Sequence, residues 1–153
     1  MARRLALVVI AAAGLSACSA KLPADINEAA LTQAIGKSIG SPSTCVIVAD
    51  AQGRTVWRGG GYITCSRNLP TCQGGETTTA AEVLKAGLGK PARFTSCPTT
   101  GANTVGWAVG PVPTGEGKPQ RDLTYVAVME GERALPGLEI KERAERAFEK
   151  AGF

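Results

Sequence analysis

Two short segments of this chain are apolar on both faces of an extended backbone, and that pattern restricts the folds open to it. In Thr44–Ala49, Val46 and Val48 point one way while Cys45, Ile47 and Ala49 point the other, and residues 123–129 repeat the pattern. Side chains alternate along a strand, so a strand with one wet face alternates apolar with polar, whereas one apolar throughout needs cover on both sides. Both segments are therefore expected at the centre of a sheet, with helices above and below it.

The covering helices can be placed from caps and periodicity. Asp25 offers an N-cap with Glu28 three residues on, the spacing of a capping box. Leu31, Ala34, Ile35 and Ile39 then share one face until Gly40 and Pro42 stop the helix. Thr79 and Glu82 repeat that spacing ahead of a short helix with Val83, Leu84 and Leu88 on one side. A last helix covers residues 138–150, where Ile140, Ala144, Ala147 and Phe148 form a stripe and Glu139 to Arg143 and Glu142 to Arg146 are i, i+4 ion pairs. Its charges balance, which favours packing on the sheet over lying on a membrane.

The remaining strands follow from turns and alternation. Asp50-Ala51-Gln52-Gly53 turns the first central segment into a more polar strand over residues 54–61, with Asp50 bonding nearby backbone. Residues 92–96 form a weaker strand. Residues 104–109 carry Val105, Trp107 and Val109 on one face and only Gly106 and Ala108 on the other, small enough for a helix to pack closely.

The predicted fold class is α+β: a single small domain over residues 25–153, with a mainly antiparallel five-stranded sheet, helices on both faces and the order α-β-β-α-β-β-β-α. That order resembles the roadblock and profilin-like group of folds, in which the first and last strands lie side by side at the centre. The resemblance rests on element order and transfers no functional residues. A second resemblance joins Val105-Gly106-Trp107-Ala108-Val109-Gly110, Tyr125-Val126-Ala127-Val128 and the last helix to the closing strands of penicillin-binding proteins and serine β-lactamases. Those enzymes need Ser-x-x-Lys and Lys-Ser/Thr-Gly, and neither occurs in this chain.

Ahead of the domain stand Arg3-Arg4, an apolar run from Leu5 to Gly14, and Leu15-Ser16-Ala17-Cys18. The run is well short of the roughly 20 residues a spanning helix needs. Its three-part form, ending in Leu, a small residue, Ala and Cys, resembles the bacterial lipoprotein signal at all four positions of the lipobox. The resemblance implies cleavage after residue 17, a diacylglyceryl group on the Cys18 thiol, and further acylation of the new amino terminus, with palmitate as a typical chain. Each buried methylene is worth about 0.8 kcal/mol, so two or three chains anchor a small domain durably. Residues 18–24 are then a lipidated tether. Ser19 after the cysteine implies the periplasmic face of the outer membrane rather than the inner membrane.

Four cysteines remain: Cys45, Cys65, Cys72 and Cys97. An even number in an oxidising compartment reads as two disulfides, and the chain has no histidine and no Cys-x2-Cys to favour a metal. Loop-closure entropy gives about 7 kcal/mol for Cys65–Cys72 with Cys45–Cys97, and the same for Cys45–Cys65 with Cys72–Cys97. The turn-forming Asn68, Leu69, Pro70 and Gly74 favour the local Cys65–Cys72 bridge.

The absence of histidine excludes Ser-His-Asp and Cys-His chemistry and His-ligated zinc or haem. Residues 110–118 resemble a phosphate loop only superficially, with Glu116 where that loop needs Lys. Without the two arginines of the leader, the 17 basic side chains only slightly exceed the 13 acidic ones, which favours neither nucleic acid nor a polybasic membrane surface. No cofactor and no metal is expected. The partners expected are the membrane, through the lipid, and another envelope protein. The binding residues nominated are Trp57 and Arg58 on the second strand, Tyr62 just after it, and Glu76 before the second helix, with Trp107 assigned to the core. The expected function is a non-catalytic envelope binding module. The competing class is a small envelope enzyme using carboxylates or a reactive cysteine.

Overall fold

The two segments apolar on both faces are hydrogen-bonded neighbours at the centre of the sheet, in a computed structural model that describes residues 20–153. The signal segment expected over residues 1–17, together with Cys18 and Ser19, lies outside the described residues. In chain order the elements are α1 (Glu28–Ile39), β1 (Thr44–Ala49), β2 (Thr55–Gly60), α2 (Tyr62–Ser66), β3 (Leu69–Pro70), β4 (Thr77–Thr78), α3 (Ala80–Gly87), β5 (Arg93–Pro98), β6 (Thr104–Pro111), β7 (Thr124–Gly131) and α4 (Gly137–Lys150). Five strands form one antiparallel sheet in the order β2-β1-β7-β6-β5, and β3 pairs with β4 separately. The predicted α+β class, with helices on both faces of a five-stranded antiparallel sheet and two disulfides, is what the chain forms. No helix among the described residues is long and apolar enough to cross a membrane.

The register explains the layers. Val46 lies opposite Ala127 and Val48 opposite Tyr125, and these side chains join the core formed with α1 and α4. Cys45 lies opposite Val128 and Ile47 opposite Val126, and these join the core on the other face with Cys65 of α2 and Ala80 and Leu84 of α3. All of β1 is buried, as is β7 except Gly131. Full burial of a Val or Ile side chain is worth about 1.5–3 kcal/mol, so leaving either face open would forfeit much of the core.

The small face of β6 receives α4. Ile140, Ala144, Ala147 and Phe148 of α4 are buried, and a Cβ at Gly106 would run into the Leu135 carbonyl and Ile140 Cδ1. At the start of α4, the Gly137 N–H donates to Ser96 Oγ at 2.7 Å, tying the helix to β5. The predicted ion pairs lie on its outer face, Arg143 to Glu139 at 2.5 Å and Arg146 to Glu142 at 4.0 Å.

Three local expectations are corrected. The N-cap of α1 is Asn27, whose Oδ1 accepts from Ala30 N at 3.0 Å, and not Asp25. A turn closed by Ile26 N to Pro23 O at 2.9 Å inserts Ile26 into the core ahead of the helix, and Asp25 instead pairs with Arg121. The disulfides are Cys45–Cys65 and Cys72–Cys97, and the favoured Cys65–Cys72 bridge is not formed. The reason is Leu69: it is buried between the two cysteines, so residues 69–70 run extended as β3 and carry Cys72 away from Cys65. The stretch expected to be a loop therefore contains α2, β3 and β4.

Replacing Gly106 by Ala is expected to cost about 1–3 kcal/mol, because backbone as well as side chain must yield. Gly36 lies exposed in α1 with open space at its Cβ position, so Gly36→Ala is expected to stabilise by roughly 0.5–1 kcal/mol. Urea unfolding of the two variants checks the opposite signs.

Candidate functional site

The nominated residues do not converge. Trp57 lies on edge strand β2, but its indole is only 4% exposed and belongs to the core with α1 and α4. It faces inward because it pairs with Val48, whose side chain faces the same layer, and the missing side chain of Gly59 leaves room for the ring. Trp57 is therefore corrected from exposed anchor to core residue. Arg58, one residue on, is exposed opposite Ile47. Tyr62 opens α2, and its side chain is outside the described part of the structure. Glu76 is exposed in the turn before β4, where its carbonyl accepts from Thr71 N at 2.9 Å. Trp107 is in the core as expected.

A groove of about 300 Å³ forms elsewhere, between α3, the 71–78 turn and the outer strands β5 and β6. The start of α3 is fixed by the capping box read from sequence. Thr79 Oγ1 accepts from Glu82 N at 3.3 Å, and Glu82 Oε2 accepts from Thr79 N at 2.8 Å. Gly87 lets the helix approach Val109, and Ala80 and Leu84 are buried beneath it. The helix packs on β1, β6 and β7. The groove lies beside it, with Trp107, Val109 and Val83 as apolar lining and Thr71, Gln73, Glu82, Arg93 and Phe94 around them.

Two ties hold the turn over this groove. The Trp107 Nε1–H donates to the Pro70 carbonyl at 2.8 Å, and Cys72–Cys97 links the turn to β5. Cys72 itself has φ 64°, a left-handed conformation that a Cβ disfavours. Within the turn, Thr71 Oγ1 accepts from Gln73 N at 3.1 Å and donates to Gln73 O at 2.8 Å. Beyond the groove β5 is the last strand of the sheet, so among the described residues its outer backbone edge has no strand partner. Phe94 on that strand is 50% exposed, a cost for a ring of this size. Among the described residues Arg93 has no ion-pair partner.

Other polar groups are engaged structurally. Glu130, buried at the end of β7, accepts from Arg67 Nη1 at 2.6 Å and from Thr99 Oγ1 at 3.1 Å. The Tyr125 hydroxyl donates to Glu145 Oε1 at 3.1 Å, and Glu145 is also paired with Lys141 at 2.7 Å. Burial first, and the Glu145 charge second, push the Tyr125 phenol far above its ordinary range. Asp50 is the turn former expected: Oδ1 accepts from Gln52 N and Arg54 N at 3.0 and 2.9 Å. Desolvation pushes its carboxyl up, but the bonds from Arg54 and Gln52 together outweigh it and hold the group below the usual range. The described residues contain no group of His, Cys, Asp or Glu placed to hold a metal.

Of the charged residues that a concave pocket could gather, Arg58, Arg67, Arg93 and Glu76, only Arg93 lines the groove, and sequence reading missed Phe94, Thr71 and Gln73, because the groove is made by segments about 20 residues apart that the fold and the Cys72–Cys97 link bring together. The only local signal was Phe94, an aromatic residue in a short strand without an apolar face. Comparisons with protein-family models, curated proteins and solved structures give no match for this chain.

Hydrogen bonds from the backbone and hydroxyl of Thr79, then from Thr78, hold the Glu82 carboxyl below its ordinary range. A depressed carboxylate contributes stability that is present above the unfolded value of 4.5 and lost as pH falls through the folded value. An NMR titration is expected to place Glu82 below an unstructured Glu, and Thr79→Ala to move it part of the way back. The same substitution removes the N-cap and is expected to cost about 1 kcal/mol.

Proposed function

We propose that this chain is a lipid-anchored envelope protein whose α+β domain is a non-catalytic binding module, with an extended peptide segment of another envelope protein as the ligand of the groove beside β5. The anchor reading is supported by Leu15-Ser16-Ala17-Cys18 after an apolar run too short to span a bilayer. Kinship with the roadblock and profilin-like group belongs to the same proposal, supported by the adjacency of the first and last strands.

The observation that carries the binding reading is the conjunction at β5: a free sheet edge among the described residues, with Arg93, which has no ion-pair partner there, and an apolar floor in the groove on one face and a half-exposed Phe94 on the opposite face of the same edge strand. A free edge supplies backbone donors and acceptors to an extended chain, while adjacent pockets select its side chains. Arg93 favours an acidic side chain or a terminal carboxylate on that chain. The enzyme reading has less support. The four cysteines of the domain are paired, and the buried Glu130 is committed to Arg67 and Thr99.

Selection of a random heptapeptide display library on the mature protein tests the proposal. Selected peptides are expected to shift the amide signals of Arg93, Phe94 and Thr95, and to bind about tenfold more weakly to Phe94→Ala, a loss of about 1.4 kcal/mol. Peptides that map elsewhere, or a library yielding none above background, would overturn it.

A further inference from the structure

We infer that the corner of the domain where the chain enters the fold rests directly on the lipid headgroups, so that the anchored protein is held flush with the membrane instead of swinging on a tether. This rests on the proposed anchor at Cys18. Four residue steps separate Cys18 from Leu22, a reach of at most about 14 Å for an extended chain. From Leu22 onward the chain is already part of the fold, because Leu22 packs on the core and Ile26 is 7% exposed. Within the expected tether over residues 18–24, the chain is therefore held to the domain from Leu22 on.

Three segments fix that corner. Arg121 pairs with Asp25, and its guanidinium lies 5.5 Å over the Phe153 ring. The Phe153 carbonyl accepts from Gly115 N at 3.2 Å, and the Gly115 carbonyl accepts from Lys118 N at 3.0 Å. The 115–121 loop and the chain end are therefore brought up beside the N-terminal segment, and a lipid at Cys18, four residues before Leu22, would draw all three toward the bilayer. The exposed charges there are mixed, Lys21 and Lys118 against Glu116 and Asp122. Attraction to anionic lipid does not account for the orientation; the short attachment does. Leu22 and Ile26 pack in the α1 and α4 layer, whereas the groove opens on the other face of the sheet, away from that layer. A flush domain would present the groove to a partner at a fixed height above the bilayer.

The test uses the full lipidated chain in phosphatidylcholine vesicles, with and without phosphatidylglycerol, and amine acylation read by mass spectrometry. Relative to soluble Cys18→Ser protein, Lys21 and Lys118 are expected to lose reactivity several-fold in both lipids, while Lys85 and Lys90 keep theirs. A Gly/Ser insert of about 12 residues between Ser19 and Ala20, with roughly 20 Å of flexible reach, is expected to restore Lys21 and Lys118. Vesicle-bound protein in which these two lysines stay fully reactive, or in which the insert changes nothing, overturns the orientation alone. Wild-type protein that lacks lipid mass and fails to float with vesicles overturns the anchor, and the orientation with it.

Discussion

The pairing of β1 with β7 is the constraint on which the rest of the structure depends. Each strand is buried on both faces, so the pair can exist only if two separate helical layers close over it. Once Val46, Val48, Tyr125 and Ala127 face α1 and α4, the opposite face with Ile47, Val126 and Val128 needs its own cover. That cover is α3 with the α2 to β4 segment. Cys45–Cys65 joins part of it directly to the central strand.

The groove is a consequence of how far this second layer reaches. α3 has eight residues and packs on β1, β6 and β7. The outer part of that face is covered instead by the 71–78 turn, which has little apolar content of its own. Its place is held by Leu69 in the core, by the Trp107 to Pro70 hydrogen bond and by Cys72–Cys97. The space left between helix, turn and edge strand is where Arg93 stands without an ion-pair partner among the described residues, while Phe94 lies on the opposite face of the same strand. The scaffold is buried at its centre and leaves a half-exposed aromatic ring and a guanidinium without an ion-pair partner among the described residues on the two faces of one edge strand, the arrangement expected of a surface for contact.

What was legible in the sequence depended on burial acting locally. The double apolar pattern located β1 and β7, the Gly106 and Ala108 face foretold the close approach of α4, and Thr79 with Glu82 marked the start of α3. Each is a signal carried within a few residues. Asp25 and Asn27 both suit an N-cap, and the choice fell to Asn27 because Ile26 is drawn into the core, a tertiary effect. Trp57 misled for a similar reason: an edge strand still has one inward face, and alternation from a bulged hairpin did not reveal which. The disulfide pairing was illegible because loop entropy is equal for both schemes, and the burial of Leu69 decides between them. The groove has no sequence motif, since its walls meet only after folding.

A doubly buried strand pair, with its second covering layer tied to β1 by Cys45–Cys65 and to β5 by Cys72–Cys97, builds the groove at β5. Tryptic mapping of the non-reduced protein tests it most directly, because Arg54, Arg67, Lys85 and Arg93 separate all four cysteines onto different peptides. The account predicts one linked pair carrying Cys45 with Cys65 and another carrying Cys72 with Cys97. A peptide joining Cys65 to Cys72, or Cys45 to Cys97, would contradict it.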